Sequence, residues 1–229
     1  MELHIDHLVI ITGPTSSGKS TLIKSVASGK LDADIGSIFP GEISNLPSVP
    51  AMKYITKEYL ESLNVTPGKP IPGMVLHYDF LRPYKKMLKS YHEDNIDYLI
   101  NRANRVTVYI LKPDPEALLA QLTRGELNGK ELESEPAGMQ LRKKLTRSFN
   151  MIPIGFRKVL KRLIFFNRKS SVTNFNKLLY FKYQDPEWVE QWYGYFNTYL
   201  EEKAKDGKQV DRHYIKPAQG STPTWKVIS

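Results

Sequence analysis

Three segments near the start of the chain, taken in order, narrow its possible folds more than any other feature. His7-Leu8-Val9-Ile10-Ile11-Thr12 is an apolar, β-branched run that ends at a glycine. Such a run reads as a strand buried on both faces, as a parallel sheet requires. The loop Gly13-Pro14-Thr15-Ser16-Ser17-Gly18-Lys19-Ser20 follows. From Ser20 to Ser28 the apolar Leu22, Ile23, Val26 and Ala27 recur at helical spacing, and Gly29 supplies a stop. Strand, glycine loop and helix in this order open a βαβ unit.

The loop carries the pattern G-x-x-x-x-G-K-[ST] in the context that gives the pattern meaning, after a strand and before a helix. Successive N–H groups of a glycine-rich turn form a nest for phosphate oxygens, and the following helix turns its positive end toward the same anion. Gly13 and Gly18 permit close backbone approach. In this reading Lys19 reaches the β- and γ-phosphates of a nucleoside triphosphate, ATP, and Ser20 sets its hydroxyl on Mg²⁺. Pro14, Thr15, Ser16, Ser17 and Thr21 complete the binding segment.

Further along, Met74 to Asp79 reads as a second core strand ended by an acid, and Val106 to Leu111 as a third. Helices are predicted over Lys53–Leu63, Pro83–His92, Ile96–Ala103, Glu116–Leu127, Gln140–Phe149, Phe156–Phe166 and Pro186–Lys205. A last strand is predicted over Thr224–Ser229. Asp32–Pro50 and Thr66–Gly73, rich in Gly and Pro, read as irregular, with a short strand at Gly36–Phe39. Alternating strands and helices predict an α/β fold, three layers around a parallel sheet. The length fits one domain over residues 1–229, with a helical, basic elaboration or lid over residues 130–205.

At the loop the chain resembles the P-loop NTPases. Its wording, Gly-Pro-Thr-Ser-Ser-Gly-Lys-Ser-Thr, is also similar to that of tRNA dimethylallyltransferases and of many small P-loop kinases. The close resemblance covers about residues 7–28. It implies ATP-dependent group transfer, foremost phosphoryl transfer to a small acceptor. The stretch from Arg105 to Arg124 resembles the strand, Pro-started helix and lid arginine of small-molecule kinases, which makes Arg124 the candidate for charge stabilisation on the transferring group. The tRNA dimethylallyltransferase alternative lacks the expected Asp-Ser strand end and nearby Gln. A sulfotransferase-like transferase would not need the full Gly-Lys-Ser signature. A nucleotide-dependent switch, non-catalytic or weakly hydrolytic, that binds nucleic acid or a membrane through residues 136–184 is the reading from another class. No Asn-Lys-x-Asp motif marks a GTPase, and no Ser-Gly-Gly signature marks an ABC-type ATPase.

Asp79, about 60 residues after Lys19, suits a Mg²⁺-holding acid or a proton acceptor; as a strand-end residue it is also common in turns. His77 shares its face of the strand and lines the site or packs in the core. Arg82 reaches a phosphate or makes a surface ion pair. Asp32, Asp34 and Glu42 are weaker candidates for a substrate-facing acid after the first helix.

Charge is unevenly spread. From Pro136 to Gln184 there are 12 Lys and Arg and no acid, while the remaining 21 basic residues face all 24 acidic ones. The segment reads as a lid over ATP and an anionic substrate, as a nucleic-acid site, as an amphipathic helix on an anionic membrane, or as a solvated basic face. Trp188, Trp192, Tyr195 and Tyr199 recur at helical spacing, which favours core packing over base stacking. With no cysteine, no basic leader before its first apolar run and no apolar run of spanning length, the chain is expected in the cytoplasm.

Overall fold

The computed structural model describes residues 3–30, 36, 39, 48–49, 69–81, 94–126, 168–218 and 224–228. The elements in chain order are β1 (Ile5–Thr12), α1 (Lys19–Ala27), β2 (Ser48–Val49), β3 (Met74–Tyr78), α2 (Asp94–Arg102), β4 (Ala103–Leu111), α3 (Pro115–Glu126), α4 (Arg168–Tyr183), α5 (Pro186–Lys205), β5 (Gln209–Ala218) and β6 (Thr224–Ile228). They divide into two compact units. One is Met1–Asp114 with Glu190–Ser229, and the other is Pro115–Val189.

The first unit is built on a six-stranded sheet of order β2-β3-β1-β4-β5-β6. All neighbours pair in parallel except β5 and β6, which are antiparallel. The protein is thus an α/β protein with a mostly parallel sheet, mixed rather than parallel throughout as expected. β1 lies between β3 and β4, with Ile10 level with Leu76 on one side and Val108 on the other. A central strand of this kind is wet on neither face, which is why its sequence is apolar without alternation. Val9, Ile11, Val75, Tyr109, Leu111 and Ile215 form one core with Leu22 and Val26 of α1. On the opposite face, Tyr78 of β3 meets Phe196 of α5 at a ring distance of 6.0 Å.

Helix ends follow their sequence signals. Ser28 caps α1, and Gly29 takes φ 65° while its N–H bonds Val26 O and that of Lys30 bonds Ser25 O. The same paired closure ends α5 at Gly207, φ 87°. At the other end of α5, the Asp185 carboxylate accepts the Trp188 N–H at 3.2 Å.

Several expectations are corrected. The helix predicted to Ala103 ends at Arg102, and β4 starts at Ala103 rather than Val106, because Ala103 pairs with Ile5 and is buried. Within the stretch expected as loop, Ile71 bridges to Ile5, with Asp6 N–H on Ile71 O and Ile71 N–H on His4 O, both 2.8 Å. The two-residue β2 lies in the stretch expected to be irregular. Of the predicted strand at Gly36–Phe39, only its end residues are described, and neither is in a strand; Phe39 is buried and stacks on Tyr109 at 4.0 Å. Strand β5 and helix α4 were not expected. The helices predicted over 53–63, 83–92, 140–149 and 156–166 lie outside the described residues.

In the second unit α3 packs against α4, with Leu118, Leu122, Leu178, Leu179 and Tyr183 buried. The elaboration expected over residues 130–205 falls partly in each unit. Of the aromatic stripe on α5, Trp188, Trp192 and Tyr199 are buried and Tyr195 is half-buried, which is core packing. Among the described residues no helix is long and apolar enough to cross a membrane.

Candidate functional site

The glycine-rich loop leaves the C-terminal end of β1 and turns into α1, at the end of the sheet where ligands of open parallel sheets bind. Three residues in it have positive φ: Gly13 at 151°, Ser16 at 66° and Gly18 at 91°. Gly13 is dictated by space as well as by conformation. A Cβ there would lie 2.8 Å from the Leu111 carbonyl oxygen and 2.9 Å from Ser17 Oγ. The loop closes with Ser17 N–H on Pro14 O at 3.1 Å. Gly18 is the N-cap of α1, no side chain caps that end, and no acid stands in its first turn. The first N–H groups of the helix thus have no N-cap side chain and no acid of their own turn to compensate their positive end.

Lys19 opens α1 but folds back into the loop. Its ammonium donates to Pro14 O at 2.6 Å, Gly13 O at 3.1 Å and Ser17 Oγ at 3.4 Å. Asp79, just past β3, closes the set with its Oδ1 at 2.5 Å from Lys19 Nζ. The Lys19 side chain is only 4% exposed, whereas Asp79 is 33% exposed. Burial pulls the Lys19 pKa below its usual value, and the Asp79 charge opposes that shift. His77, half-buried on the strand leading to Asp79, also has a lowered pKa. Burial is the main cause, the Lys19 charge adds to it, and the Asp79 charge counters it. Imidazole at His77 is therefore neutral at neutral pH.

The sequence-predicted residues are distributed as follows. Gly13, Pro14, Ser17 and Lys19 form the buried floor of the loop, Thr15, Ser16 and Gly18 are half-buried, and Ser20 and Thr21 are exposed on the first turn of α1. Lys19 and Asp79, far apart in sequence, meet in an ion pair, and His77 is close enough to feel both charges. Arg124 is on α3, in the second unit, and its side chain is not among those described. Asp32, Asp34, Glu42 and Arg82 lie outside the described residues, as does the acid-free segment 136–184 apart from residues 168–184.

Two groups at the site escaped the sequence. One is the backbone carbonyl of Leu111 at the end of β4, on which Gly13 packs. The other is Tyr193, whose hydroxyl donates to that carbonyl at 2.7 Å. A carbonyl leaves no mark in sequence, but Tyr193 has one: it sits beside Trp192 in the aromatic stretch of α5.

Among the described residues no group of three or more His, Asp or Glu is gathered to hold a metal by itself. The site instead offers one hydroxyl, Ser20 on the first turn of α1, and one carboxylate, Asp79 just past β3. That sparse set suits Mg²⁺ carried by phosphate oxygens and water rather than an all-protein cage. An open cleft of about 570 Å³ lined by Asn197, Glu201, Arg212, His213, Tyr214, Val227 and Ile228 includes no residue of the loop. Four of its polar residues pair with one another, Tyr214 with Asn197 at 2.8 Å and Arg212 with Glu201 at 3.2 Å. No family model matches the chain, and no curated protein or solved structure is significantly similar to it.

Proposed function

We propose that the chain binds ATP with Mg²⁺ at Gly13–Ser20, as a P-loop NTPase-like protein, and transfers the γ-phosphoryl group to a small acceptor. The observation that carries this reading is the buried Lys19 ammonium, held inside a G-x-x-x-x-G-K-S loop between a parallel strand and an uncapped helix, with Asp79 against it. A cation buried this deeply is costly unless it is matched by an anion; Asp79 supplies the match in the free protein, and phosphate oxygens would supply it in the bound one.

On binding, phosphate oxygens replace Pro14 O and Asp79 as the partners of Lys19, and the N–H groups of the loop and of the first turn of α1 take the rest. Ser20 and Asp79 are the residues that would hold Mg²⁺, which when bound would supply neutralisation of part of the phosphate charge. Transfer forms a bond from the acceptor oxygen to the γ-phosphorus and breaks the bond to the bridging oxygen, so that ADP leaves. The acceptor proton goes to Asp79 or to the neutral His77. Lys19 stabilises the charge that develops on the transferring group.

Release of ADP from ATP in the presence of panels of sugars, nucleosides and amino alcohols tests the transferase reading. ADP formed only with an acceptor present supports it. ADP formed equally without acceptor, or not at all, removes it and leaves a nucleotide-dependent switch.

A further inference from the structure

Leu111 ends β4 next to the loop, and its carbonyl oxygen is where two parts of the first unit meet. From one side Gly13 lies so close that a Cβ would stand 2.8 Å from this oxygen. From the other, the buried Tyr193 hydroxyl of α5 donates to it at 2.7 Å. The Tyr193 ring also packs against Phe80, at 4.9 Å between centroids and 60° between planes. Phe80 is the residue after Asp79. One side chain thus touches the support of the loop through its hydroxyl and the neighbour of the acid through its ring. Lys112, paired with Glu190 at 2.8 Å, also lies 5.3 Å from the ring centroid.

We infer that Tyr193 is a positioning residue for the candidate site. It sets the Leu111 carbonyl as the floor under Gly13 and so fixes the spacing between the loop that holds Lys19 and the strand end that holds Asp79. This rests on the nucleotide reading of the loop only for its effect on ATP; the effect on loop geometry stands apart from it. The physical ground is that a loop packed at contact distance on a carbonyl follows that carbonyl. The same peptide is tied on its other side by Lys112 N–H on Ile215 O at 2.8 Å, so the Tyr193 hydroxyl adds a second, directional hold at the oxygen that Gly13 packs on.

Tyr199 supplies an internal control. It lies on the same helix, and its hydroxyl makes a bond of the same length, 2.7 Å, to a different acceptor, Asp97 Oδ1. The test compares Tyr193→Phe and Tyr199→Phe in the full chain, by calorimetric titration with Mg-ATP and by the amide NMR signals of Gly13 and Gly18 without nucleotide. Both variants keep the ring and lose one hydroxyl. Tyr193→Phe is expected to shift the Gly13 amide and to weaken ATP binding about fivefold to tenfold, while Tyr199→Phe leaves both as in the wild type. A purely structural role would lower thermal stability in both variants alike and leave affinity and the Gly13 signal unmoved, which overturns the inference. Should the wild type bind no ATP, the nucleotide reading fails. The Gly13 signal then decides the positioning role by itself, and an unshifted signal in Tyr193→Phe rejects it.

Discussion

Lys19 Nζ and Asp79 Oδ1 lie 2.5 Å apart at the end of the sheet, and the lysine is far more buried than the acid. The asymmetry sets what each substitution does. Asp79→Asn strips the counter-charge from an ammonium that cannot reach water, and it is expected to destabilise the free protein by about 2 kcal/mol. Lys19→Met removes the buried charge and leaves a carboxylate that is 33% exposed as a whole, although its Oδ1 is buried. Its effect on stability is expected to be smaller than that of Asp79→Asn, about 1 kcal/mol, because the charge left behind is less buried than the ammonium. Urea unfolding of the two variants checks the order. Equal losses would show that the pair is not asymmetric in energy.

Gly13→Ala tests the loop floor. The added methyl meets Leu111 O at 2.8 Å and Ser17 Oγ at 2.9 Å, in a backbone conformation, φ 151°, that alanine avoids. Strain and overpacking together predict a loss of about 2–4 kcal/mol. Gly36, where a Cβ would meet nothing within 4 Å, is the contrasting site. Gly36→Ala should leave the unfolding midpoint within error, and a comparable loss at both would contradict the packing account.

His77 makes stability depend on pH. Its folded pKa is lowered from the usual 6.5, so the unfolded chain binds the proton more tightly than the folded one. The contribution is therefore fully present above 6.5 and is lost as pH falls through the lowered value. His77→Gln removes the titrating group. Between about pH 7.5 and 5, the wild type should lose more stability than the variant. Parallel curves for the two proteins would show that His77 is not held neutral by its surroundings.

The legible parts of this fold were those where one physical demand dominates a segment. His7–Thr12 is apolar without alternation because β1 is central in the sheet, and the strand, loop and helix beside it were readable from that run and two glycines. β5 was not readable. Its run Gln209-Val-Asp-Arg-His-Tyr-Ile-Lys-Pro-Ala is mostly polar, yet it lies between β4 and β6. The polar side chains are satisfied by partners that the sequence does not reveal: Asp211 by Arg105 at 2.8 Å, Arg212 by Glu201, Tyr214 by Asn197 and Lys216 by Asp114 at 2.8 Å. The signal present was Gly207, the helix stop that starts a new element. α4 was missed for a related reason, since Leu178, Leu179 and Tyr183 are too few to mark a buried face in a basic run. At the site, the motif gave Lys19 and the strand end gave Asp79. Their meeting depends on β3 lying beside β1, which no local pattern encodes.

Titration calorimetry with Mg-ATP on the wild type and on Lys19→Ala tests the central claim most directly. Binding by the wild type at micromolar concentration, weakened at least about a hundredfold in the variant, is the predicted result, given the loss of a buried charge-assisted contact to phosphate. Equal binding by the two proteins, or no binding by the wild type, would contradict the assignment of Gly13–Ser20 as the triphosphate site.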